Sequence, residues 1–228
     1  MKKIINYLII ILILVCLVSA GILLWHEYSM YKNGEEFEEL GDTIRAESTI
    51  STNDDVKEVT VDFPAGVSEL KEENDDLVAW LSIEGTPIDL PVMYTPNSPE
   101  YYLRRNFDEE YSISGTPFLD ERCLLEPQSS NLIIYGHRMN DDSMFSTLLD
   151  YSDQEYYTEH TMINLYTDET VLNFEIIGML EIEIYSDTDF NYYAMLDSEF
   201  KFDEFVNEVK KYSLNDTGID AVYGDKLI

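Results

Sequence analysis

His137 closes an apolar run and directly follows a glycine, in Asn131-Leu132-Ile133-Ile134-Tyr135-Gly136-His137. A strand end is a rigid platform, and a glycine there lets the backbone turn so that the ring faces an open mouth. An imidazole so placed can carry a proton in either direction near neutral pH. The other two histidines offer less. His26 stands where an apolar segment ends and reads as an interfacial residue, and His160 precedes a strand in a polar stretch and reads as an exposed or capping residue. His137 and His160 are 23 residues apart, with no i, i+4 pair and no cysteine ligands nearby, so no metal site is expected. No glycine-rich turn opens a helix to cradle phosphate, and no G-x-S-x-G elbow is present. A cysteine-histidine pair is the remaining chemistry. Cys16 lies inside the apolar N-terminal run, which leaves Cys123, 14 residues before His137 within Asp120-Glu121-Arg122-Cys123-Leu124. Acidic neighbours oppose thiolate formation and Arg122 offsets only part of this, so Cys123 is expected to be structural.

The elements that must hold these residues fall into four parts. Residues 1–3 include Lys2 and Lys3, and residues 4–25 are apolar apart from Asn6, Tyr7 and Ser19. As a helix those 22 residues span about 33 Å, close to the thickness of a bilayer core. The lysines on the short side predict a single-pass signal-anchor with the N-terminus inside and the rest outside a plasma membrane. The competing reading is a cleaved signal peptide, for which Val18-Ser19-Ala20 resembles an exit site, but Gly21-Ile22-Leu23-Leu24-Trp25 continues the apolar run beyond it. Residues 26–66 are polar and acidic and read as a solvated stalk, partly helical over 35–45. The domain proper is expected over 67–228. Its predicted elements are a helix over 68–81, an edge strand at Ile88-Asp89-Leu90-Pro91-Val92 and a short strand at 116–120. They continue with a buried strand over 131–135, a helix over 143–157 and strands around Ile163–Leu165 and Leu172–Ile176. A strand through Leu180, Ile182 and Ile184 and a last helix over 198–212 complete the set. Many short strands joined by helices predict a mainly β fold, a closed or nearly closed barrel with inserted helices. The 17 tyrosines and 10 phenylalanines favour the same class. With 46 acidic against 14 basic residues and a formal charge of -32, nucleic acid is excluded as a partner.

Several segments taken in order resemble class B sortases: Trp80-Leu81-Ser82-Ile83, Ile88-Asp89-Leu90-Pro91-Val92, Tyr101-Tyr102-Leu103, Gly115-Thr116-Pro117-Phe118-Leu119-Asp120, Asn131 to Met139 and Ser143-Met144-Phe145. The strand ending in Tyr-Gly-His, followed shortly by Met-Phe, is the most specific part. The resemblance implies a sortase β-barrel outside a Gram-positive type of cell. It implies a cysteine transpeptidase without cofactor that cuts a sorting-signal peptide of a secreted protein and passes it to an amine of a cell-wall precursor or pilin. His137 matches the family histidine, and Tyr135 a supporting position in the same strand. The family carries its cysteine in a Thr-Leu-Ser-Thr-Cys strand and its arginine one strand later. Neither is found here, where the sequence reads Gly224-Asp225-Lys226-Leu227-Ile228. The expectation is therefore a sortase barrel lacking its last two strands and inactive as it stands. The rival expectation is a non-catalytic acidic surface domain that binds peptides by strand addition.

Overall fold

The computed structural model describes residues 2–45, 47–51, 57–61, 63–124, 129–182 and 190–228. Helix α1 (Lys2–Ile44) is unbroken for 43 residues, and its first half exposes every apolar side chain from Ile4 to Trp25. Among the described residues it is the one helix long and apolar enough to cross a membrane. A hairpin follows, β1 (Glu47–Ser51) against β2 (Lys57–Val61). Helix α2 (Phe63–Glu73) then leads into β3 (Leu77–Ser82) and β4 (Asp89–Met93). Two-residue strands β5 (Phe118–Leu119) and β6 (Ile134–Tyr135) come next, then a 3-10 segment Ser146–Ser152, helix α3 (Gln154–Glu159), strands β7 (Met162–Tyr166) and β8 (Val171–Glu175), and helix α4 (Glu199–Tyr212).

Six strands form a single curled sheet in the order β6-β5-β4-β3-β7-β8, with β4 and β5 parallel and the other neighbours antiparallel. The fold is the mainly β class with helices that the strand pattern predicts, as a curled half-barrel rather than a closed or nearly closed barrel, the incomplete form that the resemblance implies. Trp80 sits at its centre, opposite Pro91 on one flank and Tyr166 on the other, with its side chain fully buried. Its indole N–H donates to Asp89 Oδ1 at 2.6 Å, and the other oxygen of Asp89 is ion-paired with Arg45. A buried N–H thus gains a charged acceptor, and the end of α1 is tied to the sheet.

Several expectations are corrected. The apolar run Leu77-Val78-Ala79-Trp80-Leu81 is strand, not the end of a helix. A short apolar run fits either period, and here pairing on both flanks decides. The helix before it stops at Asn74, whose side-chain amide donates to Tyr102 Oη and the Phe107 carbonyl. β4 is interior rather than an edge, and it tolerates Pro91 because β5 meets it only at Met93. The helix expected over 143–157 is split, because the Asp153 carboxylate accepts from the Glu155 and Tyr156 amides and starts α3 afresh. No strand forms over 176–182, and Ile184 lies outside the described residues. The segment 26–66, read as a solvated spacer, carries Asn33, Phe37, Leu40 and Ile44 into the core at helical spacing. At Gly66 a Cβ would fall 2.6 Å from Ile44 Cα, so glycine is what lets α2 cross α1 this closely.

Candidate active site

His137 is delivered by the β5–β6 pair. Phe118 faces Tyr135 across the ladder, and the next two residues leave the sheet edge. Gly136 leaves room there for the Phe145 ring, since a Cβ would fall 2.6 Å from its atoms and force it to shift. The Phe145 amide donates to the His137 carbonyl at 3.0 Å, and Arg138 bridges to Met144. Ser146 Oγ accepts from the Met139 amide and donates to the Met139 carbonyl, both at 2.7 Å. The loop after the histidine is therefore closed on itself, which explains physically why Tyr-Gly-His and Met-Phe occur together.

The His137 ring is half-buried. Burial, and then the positive charge of Arg104, push its pKa below the ordinary 6.5, while a hydrogen bond to the Ser114 carbonyl opposes them. The imidazole is thus mainly neutral at pH 7, able to accept a proton and return it. It lines a cavity of about 450 Å3 together with Tyr135, Asp120, Arg122, Tyr192 and Tyr193. His137 and Tyr135, singled out from the sequence, are brought to one wall of that cavity.

Asp120 organises the polar groups beside Tyr135. Its side chain is 6% exposed and accepts from Arg122 Nε at 2.7 Å, Arg122 Nη2 at 2.6 Å and Tyr135 Oη at 2.8 Å. The Arg122 hydrogen bond holds this carboxyl down at about 2. Burial, then the hydrogen bond to Asp120, push the Tyr135 phenol well above its ordinary range. The Arg122 guanidinium lies 4.4 Å over the Tyr193 ring. Sequence reasoning weighed Arg122 only as a neighbour of Cys123 and passed over Asp120. The available signal was an aspartate and an arginine two residues apart just past a strand, where a turn allows a bidentate pair.

Cys123 is not part of this cavity's lining. Its side chain is 3% exposed, with Sγ 3.3 Å from the Ile133 amide and 3.5 Å from the Asn131 carbonyl, and burial pushes its pKa up. Cys16 is on the exposed apolar half of α1. Neither thiol stands at His137. His160 ends α3, stacks on Tyr156 at 4.3 Å and contacts the Tyr156 carbonyl through Nδ1. Among the described residues no group of three or more His, Cys, Asp or Glu side chains could hold a metal.

A second, larger cavity of about 640 Å3 runs between the lead-in to β6 and strand β8, lined by apolar residues such as Leu132, Ile134, Leu172, Phe174, Ile177 and Ile228. Leu227 makes a parallel bridge to Asn131, its amide donating to the Ser130 carbonyl and its carbonyl accepting from Leu132.

No family model matches the chain. A curated sortase B of Listeria monocytogenes is 32% identical over 164 residues, 70% of this chain and 63% of that protein. A solved structure of sortase B from Listeria monocytogenes is 31% identical with a TM-score of 0.61, over 70% of this chain and 89% of that one. The chain belongs to the class B sortases. A Bacillus anthracis sortase B structure superposes with a TM-score of 0.71 at 25% identity, over 87% of this chain and 88% of that one. The chain spans 63% and 64% of the length of the two curated sortase B relatives it matches.

Proposed function

We propose that the chain supplies the acid-base half of a membrane-anchored class B sortase, with His137 as the partner of a cysteine nucleophile carried on a strand that seats in the apolar groove. The observation that carries this reading is the pairing of two features on one strand. His137 leaves the end of β6 as a mainly neutral imidazole in a cavity wall, and the lead-in to that strand offers an edge that already accepts Leu227 in a parallel bridge. A thiol beside the imidazole would lose its proton to it and attack the carbonyl of the bound peptide. The peptide nitrogen would then leave with that proton, giving a thioester. An incoming amine would displace the sulfur and give up a proton to His137, which would pass it to the departing thiolate, restoring the thiol and the neutral imidazole. Tyr135 acts through position, its phenol held by Asp120, and Arg122 is held to the same carboxylate. The solved structures that share this fold include a Staphylococcus aureus sortase B–substrate complex. Another, 25% identical to this chain, is a sortase B complexed with triglycine, which supports an amine acceptor here. The exposed apolar half of α1, with Lys2 and Lys3 before it, supports a single-pass anchor with the domain outside the cell.

A second reading rests on the position of the thiols, neither of which stands at His137. It is a non-catalytic peptide-binding domain using the groove edge by strand addition. One experiment separates the two. The chain alone, and the chain fused to a strand of Thr-Leu-Ser-Thr-Cys type, are incubated with sorting-signal peptides and a triglycine acceptor. The proposal expects no turnover by the chain alone, transfer by the fusion, and loss of transfer on His137→Ala. Peptide binding with no transfer by a folded fusion would favour the binding domain.

A further inference from the structure

Helix α1 does not end where its apolar half ends. It carries on through residues 26–44 without a proline or a break, and the domain is fastened to it at successive heights. At the top, Phe37, Leu40 and Ile44 are buried in the core. Below them Glu36 accepts from the Asn106 side chain at 2.6 Å and the Phe107 amide at 3.0 Å. One turn lower, Asn33 donates to Ser114 Oγ at 2.7 Å and Lys32 pairs with Glu110 at 3.2 Å. Lowest of all, the Trp25 ring stacks on Tyr111 with centroids 5.9 Å apart. The loop 106–111 therefore descends α1 and reaches the last residue of the apolar run.

We infer that residues 26–44 are a rigid strut rather than a tether, and that the strut seats the loop around Tyr111 in the headgroup layer of the membrane that the apolar half of α1 crosses. The inference rests on the reading of residues 4–25 as a span. The occupant of this surface is a lipid interface, because the patch is continuous with the apolar run and carries exposed aromatic rings among its charged groups. Trp25 and Tyr111 are 52% and 61% exposed, and Tyr28 and Tyr31, three and six residues above Trp25 on α1, are exposed as well. Rings with one polar edge favour the water–hydrocarbon boundary. Asp108, Glu109 and Glu110 lie beside Tyr111, so a zwitterionic surface suits this patch better than an anionic one.

The strut also fixes the height of the site. The Ser114 carbonyl acts on the His137 ring, and Ser114 is held by Asn33, eight residues above Trp25. At 1.5 Å per residue that is about 12 Å along the helix axis. The cavity at His137 would thus work at a short, constant distance from the lipid, reaching only substrates presented at that level.

The test uses the full chain in phosphatidylcholine vesicles containing headgroup spin-labelled lipid. Tyr111→Cys and, on the exposed face of helix α4, Asp203→Cys are each made with Cys16→Ser and labelled with an environment-sensitive dye, while Cys123 is buried and stays unlabelled. The native Cys16, labelled separately and read against acyl-chain spin label, reports whether the span is inserted. The inference expects several-fold stronger quenching at Tyr111→Cys than at Asp203→Cys, and loss of that difference when three glycines are inserted after Tyr28. Equal quenching at the two positions with Cys16 quenched overturns the strut and leaves the span intact. An unquenched Cys16 overturns the span, and the strut with it.

Discussion

Replacing Asp120 by asparagine keeps the shape of the side chain and removes its charge. In the native chain that carboxyl sits at about 2 instead of its ordinary 3.8, with the Arg122 hydrogen bond as the largest cause. At about 1.4 kcal/mol per pH unit, this difference corresponds to about 2 kcal/mol of stability. The Arg122 side chain is 54% exposed, and solvent screening trims the figure to about 1–1.5 kcal/mol. Because the folded pKa is depressed, the contribution is present in full above pH 4 and is lost as the pH falls toward 2. Urea unfolding of the chain in detergent should therefore show Asp120→Asn about 1–1.5 kcal/mol less stable at pH 7. The two proteins should become nearly equal near pH 2. In a double-mutant cycle with Arg122→Met, most of the loss should be shared between the two positions. A destabilisation of the same size at both pH values, or additive effects in the cycle, would refute the reasoning, since the carboxylate charge would then not be what holds the guanidinium and the Tyr135 phenol.

Other outcomes follow from the same geometry. Gly136→Ala should cost about 1–3 kcal/mol by overpacking against the Phe145 ring, and Phe145→Leu should recover much of that loss in the same unfolding assay. Alkylation of Cys123 should be slow at pH 7 and limited by unfolding, so that urea below the transition speeds it; a fast reaction with an apparent pKa below about 8.5 would contradict its burial. The His137 ring followed by NMR should titrate below 6.5, and Arg104→Gln should move it upward. Cell fractionation with N-terminal sequencing should find residues 4–25 retained in the membrane-bound form, and a soluble form starting near Gly21 would contradict the anchor.

What could be read from the sequence followed from strong local signals. The run Asn131-Leu132-Ile133-Ile134-Tyr135-Gly136-His137 marks a strand just before a histidine, although only Ile134–Tyr135 forms it and both are half-buried, where a buried strand over 131–135 is expected, because β6 is the sheet's edge. The α4 stripe Phe202, Val206 and Val209 has the 3.6-residue period and buries as one face. What was misread depends on partners distant in sequence. Leu77–Ser82 becomes strand because β4 and β7 pair with its two sides, which no local window contains. Residues 26–44 looked like a spacer because their buried side chains, Asn33, Phe37, Leu40 and Ile44, are diluted by acids on the other faces of the helix. The Asp120–Arg122–Tyr135 cluster was invisible because Tyr135 joins it only through the β5–β6 pairing.

The central claim is that His137 is the proton partner of a thiol on a strand seated in the groove. It is tested most directly by the rate of alkylation of that thiol against pH, in the fusion carrying the Thr-Leu-Ser-Thr-Cys strand, with His137 present and replaced by alanine. The account predicts an apparent thiol pKa below the free-cysteine value of about 8.5 in the first protein and a return to it or above in the second. The same pKa in both folded proteins would contradict it.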